Sequence, residues 1–214
     1  MSLAFTYIVK DCVYIAADGR AVQLDYNKEG NLEPTEVITS EDLRKVRPLT
    51  KKSVLFLGGI CQITELMYDE IRSKVNDNSK FLEIISVIQE VSRKYHNLSG
   101  LTSDADKTSS VASVLAMYDK TPIFAGLSPS NNFKPIIFDQ EGNYGFKGDK
   151  IGEEEGNFIV INNPPKTGER IGDYIYKIYQ HVSKKSFPVG GMLRVYRIDY
   201  AGINLEEKRM IEND

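Results

Sequence analysis

The stretch MSLAFTYIVKDCVYIAADGRAV, residues 1–22, decides how the rest of the chain is read. FTYIVKD and DCVYIAAD are short runs of β-branched and aromatic residues around a polar turn, the pattern of two paired strands. RAVQLDYN alternates again, so the chain opens as an antiparallel sheet. Ser2 stands sixteen residues before Asp18, at the opposite end of the same expected hairpin.

Downstream, Asn, Gly and Pro in DYNKEGNLEP mark a loop before TEVITS, and EDLRKVRPLTKK leads to the strand SVLFLGG. Gly58 and Gly59 release the backbone into a helix on which Ile60, Ile63, Met67, Ile71 and Val75 recur at spacings of three and four. Phe81, Ile84, Ile85, Ile88, Val91 and Tyr95 define a second helix. After the polar segment NLSGLTSDADKTSS, strand character returns in VASVLAMYDKTPIFAGLS. KPIIFDQEGNYGFKG reads as a hairpin about its Gly-Asn turn, and NFIVINN as one further strand stopped by Pro164 and Pro165. Ile171, Ile175, Ile178 and Val182 give a third helix, and GGMLRVYRIDYAG a closing strand. This order is no regular strand-helix alternation. It predicts an α+β layered fold of two largely antiparallel sheets with helices outside, in one domain spanning residues 1–214.

Charge narrows the partners. Lys and Arg total 27 against 30 Asp and Glu, a net charge of −3, so no general basic field is present for nucleic acid. Cys12 and Cys61 with His96 and His181 are a poor supply for a metal centre, and neither a metal nor a cofactor is expected. Cys12 lies in an apolar alternating run and reads as a structural thiol. Glu153, Glu154 and Glu155, between Gly152 and Gly156, read as a solvated acidic loop. GDKIGEEEG lacks the ordered glycines and Lys-Ser/Thr ending of a phosphate loop. No apolar run approaches the roughly 20 residues needed to span a bilayer, and the N-terminus turns polar too soon for a secretory segment. A cytoplasmic protein with no membrane association is expected.

Four segments taken in order, IAADGRA, then LRKV leading to SVLFLGG, then PIFAG with KPIIFDQEGNYG, and finally FPVGGMLRVYRID, resemble the proteasome β-subunit and its bacterial relatives in the N-terminal nucleophile hydrolase superfamily. The resemblance covers nearly the whole chain. It implies a four-layer αββα sandwich, peptide or small-amide hydrolysis, and a closed homo-oligomer. It also assigns residues. Ser2 matches the nucleophile, Asp18 the family's aspartate, Lys45 its catalytic lysine, and Gly59, fourteen residues after Lys45, the backbone N–H donor of the oxyanion hole.

The chemistry of that set is self-consistent. A free α-amine on Ser2, with a reference pKa of about 8, would take the hydroxyl proton as Oγ attacked an amide carbonyl. Lys45 would supply positive charge, Asp18 would orient the lysine, and the Gly59 N–H would stabilise the oxyanion. Met1 must then be removed, which a small residue at position 2 permits. Thr6 would break the spacing to Asp18.

One departure lies downstream. The family follows a central strand with a Gly-Ser-Gly turn, a helix and a supporting Ser/Asp pair, whereas this chain has FIVINNPPKTGERIGDY, with Asn162 and Asn163 in the turn region and no intervening helix expected. Thr167 and Glu169 are the nearest polar candidates for support, but neither matches the motif, and they read better as a loop and helix cap. The alternative function is a noncatalytic structural or interaction protein with the same sandwich.

Overall fold

The computed structural model describes residues 2–28, 32–98 and 111–212. Met1 and most of the polar segment after residue 98 lie outside them. Among the described residues the chain forms a mixed α+β fold in which every strand ladder is antiparallel.

The opening hairpin is β1 (Leu3–Val9) and β2 (Cys12–Ala17), in register from Ala4 opposite Ala17 to Val9 opposite Cys12. Next come β3 (Ala21–Tyr26) and β4 (Leu32–Ser40), which pair only with each other. They are followed by β5 (Val46–Thr50), β6 (Ser53–Gly59), α1 (Cys61–Lys74) and α2 (Phe81–Leu98). Strands β7 (Val111–Asp119), β8 (Thr121–Leu127), β9 (Ile136–Phe138) and β10 (Tyr144–Gly148) precede α3 (Lys150–Asn162) and α4 (Ile171–Ser183). Strands β11 (Gly191–Asp199) and β12 (Gly202–Ile211) close the fold. One five-stranded sheet runs β10-β1-β2-β11-β12 and the other β5-β6-β7-β8-β9.

Period-two alternation sends side chains of one strand to two different cores. From β1 and β2, Ala4, Ile8, Val13 and Ile15 meet Val54, Phe56, Val114 and Phe124 of the second sheet. Their neighbours Leu3, Phe5, Tyr14 and Ala16 turn the other way, onto Ile175, Ile178, Tyr179 and Val182 of α4 and Val160 of α3. The far face of the second sheet takes Met67 and Ile71 of α1 with Ile84, Ile85, Ile88 and Val91 of α2. Strands covered on both faces are continuously apolar, which is why all six residues of β2 are buried. Each large side chain so buried stabilises the fold by about 1.5–3 kcal/mol.

Three expectations change. Residues 150–162 form helix α3, so the acidic run is helical and NFIVINN is no strand. Its start is set by Asp149, whose carboxylate accepts the Gly152 N–H at 2.8 Å, an N-cap. Strands β9 and β10 are not partners: β9 pairs with β8 and β10 with β1. The Gly-Asn turn between them docks on β1 instead, with Gly142 N donating to Ile8 O at 3.0 Å and Ile8 N to Asn143 O at 2.9 Å. Strand β5, inside the segment read only as a connection, completes the second sheet. No helix among the described residues is long and apolar enough to cross a membrane.

Candidate active site

Pairing of Ala4 with Ala17 brings the start of β1 beside the end of β2, and Asp18 follows immediately. Its carboxylate accepts the Leu3 backbone N–H at 2.9 Å through Oδ1 and the Lys45 ammonium at 2.8 Å through Oδ2. Both side chains are buried, 0% and 3% exposed, so this is an ion pair removed from water. A second donor bond runs from Lys45 Nζ to the Arg20 carbonyl.

Lys45 reaches this point because its segment is pinned to the strand that carries Gly59. The Lys45 carbonyl accepts the Leu57 N–H at 3.1 Å, two residues before Gly59 ends β6. Ser2, Lys45 and Gly59 all line one cleft of about 520 Å³, whose walls also include Arg20, Tyr26 and Arg47. Asp18 stands behind Lys45, anchoring it from within the core. The four predicted residues therefore converge: three face the cleft and one holds the ammonium that faces it.

Two of the cleft's other cations, Arg20 and Arg47, are also matched. Arg20 pairs with Glu41 at 3.1 Å and donates to the Phe187 carbonyl at 3.0 Å. Arg47 forms a two-pronged pair with Glu65, 2.7 Å for its Nη1 contact, and its guanidinium lies 4.8 Å from the Tyr68 ring centroid. Of these three pairs, that of Lys45 with Asp18 is the one buried on both sides.

The other side of Ser2 is fastened by residues that sequence reasoning missed. Ser2 is 6% exposed, and its carbonyl accepts the Asp149 backbone N–H at 2.8 Å. The Asp149 carboxylate, also buried, accepts the Ser186 hydroxyl at 2.6 Å in addition to the Gly152 N–H. Preceding it, Gly148 has φ +138° and sits opposite Leu3. A Cβ there would fall 1.8 Å from the Ser2 carbonyl oxygen, so only glycine fits. The turn GDK thus occupies the place between β10 and a helix, and a carboxylate-hydroxyl pair is present through Asp149 and Ser186. The Asp149 signal was readable as an N-cap ahead of Glu153 in the first turn of α3. Ser186, 37 residues away, had none.

Thr167 and Glu169 do not join this site. They line a separate cleft at the β1–β2 turn, and Glu169 accepts the Lys166 N–H at 3.0 Å and the Lys177 ammonium at 2.5 Å. Nor do they cap α4, whose N-cap is Arg170. Burial pushes the Cys12 thiol above its ordinary pKa, the state of an inert core thiol. Tyr179 on α4 donates its buried hydroxyl to the carbonyls of Leu3, 2.9 Å, and Ala16, 3.1 Å. Burial first and the Asp18 charge second hold that hydroxyl well above the usual tyrosine range, so it stays a donor. Among the described residues no group of three or more His, Cys, Asp or Glu could hold a metal ion.

The sequence matches no protein-family model, and no curated protein is similar to it.

Proposed function

We propose that this chain is a proteasome-like N-terminal nucleophile hydrolase of peptide or small-amide substrates, and that its stacked helices and sheets are the four-layer αββα sandwich of that superfamily. The observation that carries the reading is the buried Lys45–Asp18 pair beside Ser2 and Gly59 in one cleft. A buried ion pair seldom stabilises a fold more than apolar residues of the same volume, so its presence beside a cleft favours a chemical role.

In this mechanism Ser2 is the first residue. Its α-amine takes the proton from Oγ as Oγ bonds to the substrate carbonyl carbon, and the developing oxyanion is met by the Gly59 N–H. The amine then gives the proton to the leaving nitrogen as the C–N bond breaks. Water attacks the resulting ester and releases the acid. Lys45 has three N–H donors, of which Asp18 and the Arg20 carbonyl take two, leaving one for the nucleophile's side of the cleft. The Asp149 N–H fixes the Ser2 carbonyl and thereby the backbone from which Oγ projects.

With Met1 attached, Ser2 carries an amide nitrogen and has no base. Intact mass of protein expressed from the native gene without added residues is expected to show a chain starting at Ser2. That form should turn over fluorogenic peptide amides, and Ser2→Ala should abolish the turnover. Equal turnover by both forms would remove Ser2 from the mechanism. A Ser2-start chain inert toward peptide and simple amides would favour the noncatalytic member of the fold.

A further inference from the structure

The cleft that holds Ser2 has a sign as well as a shape. Arg20, Arg44, Lys45 and Arg47 line it, against a single carboxylate, Glu65. That balance is the reverse of the chain's own, a net charge of −3. Three of the four cations have carboxylate partners: Arg20 has Glu41, Lys45 has Asp18 and Arg47 has Glu65. Arg44 differs. Its guanidinium has neither an ion pair nor a hydrogen bond to any of the described residues, and the residue is exposed on the cleft wall. Once the pairs are set against each other, the positive charge left over in the cleft is that of Arg44, one residue from the ammonium of Lys45.

The backbone that carries Arg44 is fastened on both sides. Leu43 donates its N–H to the Gly19 carbonyl at 2.9 Å, Lys45 donates its N–H to the Leu43 carbonyl at 3.1 Å, and Arg47 Nε donates to the Arg44 carbonyl itself at 2.6 Å. A cation rooted in a fixed turn gives up less freedom on taking a partner than one on a mobile loop. Helix α1 adds to the same sign, since it starts on this wall at Ile60 and Cys61 with no side-chain cap and no acidic residue in its first turn.

A free guanidinium presents a planar fork of N–H donors that matches a carboxylate in two parallel hydrogen bonds. It repels a lysine or arginine side chain and gains little from a neutral one. In a cleft bounded by low-dielectric walls, one uncompensated charge also sets the sign of the field that an arriving ligand meets.

Resting on the reading of this cleft as the substrate site, we propose that it selects peptides carrying an acidic side chain, and that Arg44 is the specificity residue that pairs with that carboxylate.

The test uses the Ser2-start chain and fluorogenic peptide amides of one sequence in which a single position, moved stepwise along the peptide, is Glu, Gln or Lys. At one position Glu should exceed Gln by about fivefold in kcat/KM, with Lys below Gln. Raised salt should shrink the difference. Arg44→Gln should remove the preference and Arg44→Glu should reverse it, making Lys the best of the three. Arg44 is exposed, so both variants should melt close to wild type. Binding of the same peptides, fluorescently labelled, to the Ser2→Ala chain separates recognition from chemistry. A Glu preference in binding that Arg44→Glu reverses upholds the selection even where no peptide is cut, an outcome that would count against the hydrolase reading alone. Equal binding of the Glu and Gln peptides at every position overturns the proposal, as does binding of no peptide, or a Glu preference that survives Arg44→Glu.

Discussion

Asp18 and Asp149 are both buried carboxylates, and both hold the first residues of the chain, but by different means. Asp18 carries a cation, Lys45, and uses its second oxygen on the Leu3 N–H. Asp149 takes only neutral donors, the Ser186 hydroxyl and the Gly152 N–H, and grips Ser2 through its own backbone. Its charge rests at the N-terminus of α3, where the helix dipole favours an anion. One carboxylate therefore brings an ammonium to the cleft. The other sets a position. Removing partners should hurt the first electrostatically and the second geometrically.

The largest effect is expected at Lys45. Lys45→Met leaves the wholly buried Asp18 uncompensated and should cost about 3–5 kcal/mol in urea unfolding, together with all turnover. Adding Asp18→Asn should restore much of the stability and none of the activity. A double variant no more stable than Lys45→Met would break the claim that the two charges are coupled. Ser186→Ala should cost less, about 1–3 kcal/mol, with turnover reduced while the fold survives. A loss as large as that of Lys45→Met would erase the distinction between the two carboxylates.

The smallest effect belongs to a surface pairing that sharpens the contrast. Glu70 bridges Lys94 at 2.6 Å and Lys74 at 3.0 Å, and the Lys94 hydrogen bond, followed by that of Lys74, lowers its carboxyl to about 2. A folded value below the unfolded one, about 4.3, means that stabilisation is complete above the unfolded value and is lost as pH falls through the folded one. Wild type should therefore lose stability between about pH 4 and 2 relative to Glu70→Gln, in thermal melts at low salt. High salt should erase that difference and leave the Lys45→Met defect intact. Persistence of the Glu70 effect in high salt would show that the bridge is not a screened surface interaction.

Asp18, Lys45 and Gly59 are picked out in the sequence through the family resemblance alone; each lies at or next to a strand end, and the pairing of β1 with β2 and of β5 with β6 is what brings them near one another. The alternation and helical spacing that mark β1, β2, α1, α2 and α4 are local. Helix α3 was misread for a reason that is not local. Its FIVI run favours a strand by propensity and its glycines suggest a loop, yet Gly156 lets the helix lie against β10, where a Cβ would come 2.5 Å from the Phe146 ring. Tertiary contact overrode propensity, and the Asp149–Ser186 pair, which depends on where α3 starts, was lost to view with it. The Gly-Asn turn at residues 142–143 was recognised as a turn, but its partner is β1, and turn chemistry does not name a partner.

The Tyr179 hydroxyl ties residue 179 to residues 3 and 16, separations of 176 and 163 along the chain. At a synthesis rate of about 5–20 residues per second, roughly 10–40 seconds pass between the emergence of β1 and that of the side chain that pins it. Until then the opening hairpin has neither this staple nor the helix that covers Leu3 and Phe5, and pairings this remote are slow to form. The β1–β2 hairpin thus waits uncovered on this face through the synthesis of the intervening residues, and the arrival of α4 closes that interval by covering Leu3 and Phe5.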